Sequence, residues 1–537
     1  MQITLVKPDG VRQVFDFQIK DDGILLSELL KECGIPFEMP CGGRGTCRKC
    51  RVVIEGNVEA PGTAETSMLS AEDLSAGIRY ACMTKVTGDV TVCLFERGKS
   101  EILTDGDLPP YRLQPMGSEY GIVVDIGTTT LAGYLYRQAD GMRLATAALP
   151  NPQTMFGADV ISRLQASSEG QTKALAGCIQ AALCSLLRSL AEKASIKAEN
   201  IDAVVLTGNT AMLYLLTCRE VNSLIAVPFR QDHCFGECVD AAKVLTDGGS
   251  LPVAADARVY LPRTVAAYVG ADITTAMMAV GFDGAPTQEG VVLLADIGTN
   301  GEMGLWTKEK VYVCSTAAGP AFEGAGLSCG MSARQGAIRK VELKDSKLVC
   351  EVIGGGAAKG MCGSGVVDTI AALYDAGVMD ESGRLWMDGH DFEDAMCMVD
   401  NQPAIRIPGT EVCLTQADVR AIQLAKSALA AGMLALLNAA GVQPQQVKTL
   451  YLAGGFGNCI DVGSAAAIGL IPAQLADIAK PVGNAAGAGA ALLLLDAQKK
   501  AASEKLAADA VCLELSTDPY FMDQYVEQMM FGNDDLM

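Results

Sequence analysis

The stretch "YGIVVDIGTTTLAGYLY", Tyr120 to Tyr136, is an apolar run that ends on a carboxylate, turns through glycine and three threonines, and becomes a second apolar run. It reads as two strands joined by a tight hairpin, with Asp125 carried to the sheet edge. Gly127 permits the turn and lets a ligand approach the backbone closely. The hydroxyls and amides of Thr128 and Thr129 are donors suited to phosphate oxygens. A carboxylate beside a phosphate is repelled. Asp125 therefore fits with Mg2+ between the two, or as a group that orients a water. A single unit of this kind could equally be a plain hairpin.

The pattern returns as "GVVLLADIGTNGEMGLW", Gly290 to Trp306. Asp296, Gly298, Thr299 and Asn300 repeat the positions of Asp125, Gly127, Thr128 and Thr129. A spacing this long points to a duplicated domain rather than a short solenoid repeat, with the two units facing one cleft. Two further clusters fit that reading. "TLYLAGGFGNCID" is a strand running into Gly454, Gly455 and Gly457, and "GNAAGAGAALLLL" is a helix that opens on small residues. "AVVLTGNTAML" (Thr207 to Asn209) and "GMCGSGVVD" (Gly363 to Gly365) are strand-end or loop-to-helix turns. They read either as anion sites at helix N-termini or as ordinary tight turns.

This set resembles the actin/Hsp70/sugar-kinase superfamily. The resemblance implies an ATPase in which Asp125, Gly127, Thr128 and Thr129 form one phosphate loop. Asp296, Gly298, Thr299 and Asn300 form the other. Gly454 and Gly455 contact the nucleotide, and small-residue helices connect two lobes. ATP and Mg2+ are the implied ligands, with Asp125 and Asp296 as the catalytic pair. The helix from Thr415 to Leu437 has Thr415 as N-cap and Asp418 three residues on. Its apolar stripe is expected to be core, and Lys426 is expected either to snorkel at the surface or to reach the nucleotide. Gly319 to Ile338 is too glycine-rich for a packed element and reads as a mobile loop and a candidate partner contact.

Upstream, "MPCGGRGTCRKC" places Cys41, Cys47 and Cys50 on one glycine-rich loop, and Cys82 follows after 31 residues. Three thiolates plus a distant fourth is the order a [2Fe–2S] cluster uses. Four cysteines could also hold zinc, although zinc sites more often come as two C-x2-C pairs. The surrounding segments read as a hairpin, a helix, a strand, a short helix and a last strand, a small α+β domain. Cys33 and Cys93 lie outside the pattern and are expected to be packed thiols. The stretch resembles a ferredoxin domain, whose β-grasp fold it then implies. Its loop is one residue longer than the plant type, which resembles the adrenodoxin-like branch.

The chain has 537 residues, a formal charge of −21, nineteen cysteines and two histidines. The acidity argues against nucleic acid as a partner. Scattered cysteines read as buried small hydrophobes of a reducing compartment. His233 and His390 are too few for histidine-rich metal chemistry. No apolar run approaches the ~18 residues of a membrane span, and the N-terminus carries no signal pattern. The expected location is cytoplasmic, with no membrane partner.

The expected organisation is a ferredoxin-like domain over 1–97 and a linker over 98–118. ATPase lobe I then covers 119–285, lobe II 286–515 and a C-terminal tail 516–537. This is an α/β and α+β multidomain protein. A [2Fe–2S] domain joined to such an ATPase resembles the reductive activators of corrinoid proteins. The residues that carry the likeness are the cysteine set, "DIGTTT", "NPQTMFGADVISR", "DIGTNGE", "GPAFEGA", "CGSG", "QLAKSA" and "LAGGFG". The resemblance implies ATP-dependent reduction of Co(II) to Co(I) on a corrinoid protein or a corrinoid-dependent methyltransferase component. It also implies an external low-potential electron donor, and it leaves a homodimer open. Some members are expected to carry an extra middle domain, for which the linker here leaves no room. Two alternatives stand beside this reading: a small-molecule kinase with a redox domain, and a chaperone-like ATPase assembly factor.

Overall fold

The computed structural model describes residues 1–7, 10–17, 23–33, 35, 39, 43, 45, 49–95, 108–282 and 290–532. The chain divides into two units. One joins Met1–Lys99 with Pro152–Ile179, and the other joins Ser100–Asn151 with Gln180–Met537.

In the first unit Gln2–Val6 pairs antiparallel with Arg12–Asp16, the N-terminal hairpin. The sheet runs Arg12–Asp16, Gln2–Val6, Lys85–Leu94, Arg51–Val58, Ile78–Tyr80, and Ile24–Leu25 also pairs with Lys85–Leu94. The first and last long strands are parallel neighbours. The helix Leu26–Glu32 buries Leu26, Leu29 and Leu30 against this sheet. That is the β-grasp arrangement implied by the ferredoxin resemblance. Met155 enters the same core with 3% exposure, and Phe156 packs beside it under the Lys31 ammonium, 5.4 Å from the ring centre. The "NPQTMF" segment thus supplies part of the unit that holds the cysteines.

The second unit contains two sheets of one design. The first runs Glu237–Asp240, Arg258–Leu261, Ile201–Gly208, Tyr120–Ile126, Thr130–Arg137, Met142–Pro150. The second runs Ala479–Pro481, Val447–Ala453, Val291–Ile297, Gly301–Trp306, Val311–Thr316, Val511–Cys512. In each, an antiparallel three-strand meander starts at the Asp-x-Gly-Thr strand, and a later strand adds in parallel to that strand's other edge. The duplication read from two short motifs therefore extends through whole lobes.

The small-residue helix Ala485–Leu495 is buried along its length. Its Gly489 lies so close to the helix Ala271–Ala279 that a Cβ there would sit 1.8 Å from the Thr275 carbonyl. Glycine is needed for that helix–helix approach.

Three expectations are corrected. Gly319 to Ile338 is packed: Phe322 is 2% exposed, Leu327 3% and Cys329 8%. Its glycines serve close contact, for a Cβ on Gly324 would meet the Met331 carbonyl at 2.1 Å. Lys426 does not snorkel at the surface. It is fully buried and donates to the carbonyls of Gln528 and Met530 at 2.6 and 2.5 Å, with its ammonium 5.1 Å from the Phe531 ring centre. Burial lowers its pKa to about 7. The helix Pro519–Glu527 packs on Gln416–Ala439 at this anchor. Finally, among the described residues two helices, Val160–Ala194 and Gln416–Ala439, are long and apolar enough to cross a membrane by length and composition. The second owes its apolarity to the core, with 83% of its apolar window buried.

Of the stretch expected to link the domains, residues 108–118 are held in place. Gln114 and Met116 donate backbone amides to the carbonyls of Leu495 and Leu494, both at 2.8 Å. Tyr111 and Met116 pack on the second unit's core.

Candidate functional site

Two sites emerge, one in each unit. In the first, Cys50 ends the cysteine loop and Cys82 follows the strand Ile78–Tyr80. Their sulfurs lie 3.3 Å apart, although the residues are 32 positions apart. A backbone bond from Ala81 N to Cys50 O, 2.9 Å, stitches the two segments together. Glu65, 1% exposed, accepts from Arg79 at 2.8 and 3.0 Å and from Tyr80 N at 2.8 Å, which fixes the strand that delivers Cys82.

Two thiolates on one tetrahedral metal, each bonded at about 2.3 Å, sit roughly 3.8 Å apart. The observed pair is close to that edge length and far longer than the ~2.05 Å of a disulfide. Cys50 and Cys82 therefore fit two ligands of a single iron. Cys41 and Cys47 lie outside the described residues. Cys33 and Cys93 are half-buried.

The second site lies where the two Asp-Gly-Thr hairpins meet. Asp125 sits opposite Ala132 in its hairpin and Thr207 on the parallel neighbour. Asp296 sits opposite Glu302 and Ala453. Burial pushes Asp125 up to about 6, opposed by a hydrogen bond from Asn484. Burial and then the charge of Asp125 push Asp296 up to about 7. Asp272, at the start of its helix, is raised by burial and further by both aspartates. Glu302 is raised by burial and by Asp272 and Asp296. Four carboxylates that disfavour each other's ionisation are a poor arrangement unless a cation or protons relieve them.

Among the described residues no three His, Cys, Asp or Glu side chains already form a metal cage. Mg2+ usually takes one or two carboxylates plus substrate phosphates and waters. Asp125 and Asp296 are the carboxylates that could hold it or its waters.

Gly454 closes the second loop. It has φ +85°, and a Cβ there would meet Asp296 Oδ1 at 2.4 Å and the Ile297 carbonyl at 2.8 Å. Gly455 is exposed, with nothing within 4 Å of its Cβ position. Gly127 needs to be glycine because a Cβ would strike the Thr130 carbonyl at 2.7 Å. Asn151 supports that turn, donating its side-chain amide to Gly127 O and its backbone amide to Thr129 O, both at 2.8 Å. Thr128, Gly298 and Asn300 are half-buried at the same turns.

The sequence reading missed Asp272, Glu302, Asn484 and Glu323. Glu323 accepts from Thr129 Oγ1 at 2.7 Å and from Thr299 Oγ1 at 2.9 Å, bridging the two hairpins. It stands on the turn Pro320–Glu323, between Gly319 at φ 78° and Gly324 at φ 73°. Phe322 beside it stacks on Phe456 of the "GGFG" turn, centroids 4.6 Å apart. The "GPAFEGA" motif was the visible signal for this residue.

The two helix-start turns are tightly built. Asn209 is spent as an N-cap accepting from Met212 N at 2.9 Å, and Gly363 packs so tightly that a Cβ would lie 1.8 Å from the Phe322 carbonyl. His233 pairs with Glu237 at 2.7 Å, and His390 bonds to the Trp386 carbonyl at 2.9 Å, so neither faces the cleft carboxylates.

With this geometry in hand, comparison with known proteins is informative. Residues 6–87 match the 2Fe-2S iron-sulfur cluster binding domain. Residues 120–285 match the RACo middle region, and residues 290–537 match the C-terminal domain of RACo, the ASKHA domain. The stretch read as the first lobe is the one that matches the family's middle region.

The chain is 31% identical to the corrinoid activation enzyme RamQ of Eubacterium limosum, over 95% of this chain and 96% of that one. It is 25% identical to the [Co(II) methylated amine-specific corrinoid protein] reductase of Methanosarcina barkeri, over 70% of each. Its fold matches the solved structure of a reductive activator for corrinoid, iron-sulfur protein, with a TM-score of 0.69 and 25% identity, covering 100% and 99% of the two chains.

Proposed function

The chain belongs to the family of corrinoid activation enzymes, and from that premise we propose how its residues divide the work of ATP-dependent reductive activation of a corrinoid protein. Co(II) on the partner is the substrate and Co(I) the product. The observation that carries this reading is the presence, on one chain, of a paired-sulfur site at Cys50 and Cys82 and a duplicated Asp-Gly-Thr cleft.

Cys41, Cys47, Cys50 and Cys82 hold the [2Fe–2S] group, which when bound supplies a one-electron carrier. The backbone around Cys50 and Cys82 is fixed by Glu65 and Arg79, so these ligands are preorganised. In the cleft, Thr128, Thr129, Thr299 and Asn300 bind phosphate oxygens, with Gly127 and Gly298 allowing the close approach. Asp125 and Asp296 hold Mg2+ or its waters and orient the attacking water. Gly454 and Gly455 pack against the nucleotide.

The reduction is uphill for a plant-type carrier near −400 mV. Each tenfold preference of the ATPase for one cobalt state over the other is worth about 59 mV for one electron. Closure of the lobes on ATP can supply that bias only if partner and nucleotide each distinguish the two conformations. Electrons enter from an external low-potential donor, since the sequence carries no strand–GxGxxG–helix signature for a nicotinamide. The working location is the cytoplasm.

Two single variants test this division. Cys82→Ser should abolish the iron–sulfur absorption and leave ATP hydrolysis intact. Asp296→Asn should do the reverse. If either variant removed both activities while remaining folded, the two sites would not be separable as described.

A further inference from the structure

We infer that Glu323 is a nucleotide-responsive latch, whose carboxylate and the terminal phosphate of ATP compete for the hydroxyls of Thr129 and Thr299. The inference rests on the reading of the two hairpins as phosphate loops and adds to it a residue that neither hairpin contains.

Each threonine hydroxyl has one hydrogen to donate. Thr129 gives its hydrogen to Glu323 Oε2 and Thr299 gives its hydrogen to Glu323 Oε1. A phosphate that takes either hydrogen takes it from Glu323. The carboxylate is also an anion beside the place a more highly charged anion must occupy, so the two repel each other. Glu323 thus stands in for a phosphate, joining the lobes through the same two donors.

Its surroundings explain how leaving that position would be transmitted. Glu323 is flanked by two glycines in the left-handed region, Gly319 and Gly324, which let the turn swing. Phe322 is pinned by its stack on Phe456. Five residues on, Ser328 donates its amide and hydroxyl to Asp418 at 2.6 and 2.5 Å. Asp418 also accepts from Thr415 in the capping box of the helix Gln416–Ala439. A change at Glu323 therefore reaches the cap of a central helix through one short, packed segment.

The test is calorimetric binding of MgATP and MgADP to the full chain, with steady-state ATPase kinetics. Glu323→Gln keeps size and shape but removes the charge. It should tighten MgATP binding about three- to tenfold, tighten MgADP less and lower KM. In a Thr129→Val/Thr299→Val background the same change should give a smaller gain, because the contested donors are gone. Glu323→Ala checks that the effect follows the carboxylate rather than the glutamine.

Unchanged MgATP affinity in both Glu323 variants would overturn the latch. So would a large fall in kcat with unchanged binding, which would make Glu323 a general base. If the unaltered chain itself bound no MgATP, the phosphate-loop reading would fail instead, and the two failures are distinguishable.

Discussion

Asn484 donates its side-chain amide to Oδ2 of Asp125 at 3.0 Å, across 359 residues of chain. Its orientation is fixed at the other end, where its Oδ1 accepts from Gly487 N at 2.7 Å. The bond favours the charged form of Asp125 and opposes the burial that pushes its pKa up to about 6. Asn484→Ala should therefore raise that pKa further. If ionised Asp125 is needed for hydrolysis, the acid limb of kcat/KM for ATP should move to higher pH by up to about one unit. A pH profile between 5 and 8 reads this directly. An unmoved limb would remove Asp125 from the catalytic ionisation.

Asp296 links function to stability with a defined sign. Its folded pKa is pushed up to about 7 from 3.8. Between those values the folded state binds more protons than the unfolded state. The stability tied to this group is fully present below about pH 4 and is lost as pH rises through 7. Asp296→Asn removes the penalty. Without nucleotide, the variant should be more stable than the unaltered chain at pH 8, by up to about 4 kcal/mol, and the difference should vanish towards pH 4. The same variant should hydrolyse ATP at least about tenfold more slowly, a barrier change of about 1.4 kcal/mol. Thermal melts at several pH values check the first claim, and an ATPase assay checks the second.

Lys426 makes the opposite linkage. Its pKa is lowered from 10.5 to about 7 by burial, so between pH 7 and 10 the unfolded chain holds the proton more tightly. Stability from this group should rise with pH over that window. Lys426→Met should flatten the rise. It should also leave the Gln528 and Met530 carbonyls without their donor, at a cost of about 1–3 kcal/mol for each buried group left unsatisfied. Hydrogen exchange over residues 519–531 should then speed up, while the iron–sulfur spectrum stays unchanged.

The duplicated lobes were legible because the same short hairpin, strand to aspartate to glycine to threonine, recurs and dictates the same local geometry each time. The cysteine domain was legible from spacing and alternation. Glu323 was not, although its motif was visible, because its pairing with Thr129 and Thr299 spans 194 and 24 residues and no local pattern records it. Lys426 was misread because its acceptors are backbone carbonyls of a distant segment, which no side-chain pattern records. The stretch from Gly319 to Ile338 was misread for a different reason. Glycine permits both mobility and close packing, and composition alone does not say which. Here Gly324 and Gly363 abut carbonyls where any Cβ would collide. Asn484 hid in plain view as an ordinary helix cap, and only the sheet places Asp125 beside it.

ATP and the cysteine-held carrier are proposed to act together to make Co(I). The most direct test is anaerobic absorbance spectroscopy of a cognate corrinoid protein in its Co(II) state, mixed with this chain and a low-potential reductant. Co(I) should appear with MgATP present. It should appear at least about tenfold more slowly when MgATP is withheld or when Cys82→Ser or Asp296→Asn replaces the unaltered chain. Co(I) forming equally fast without MgATP would contradict the account.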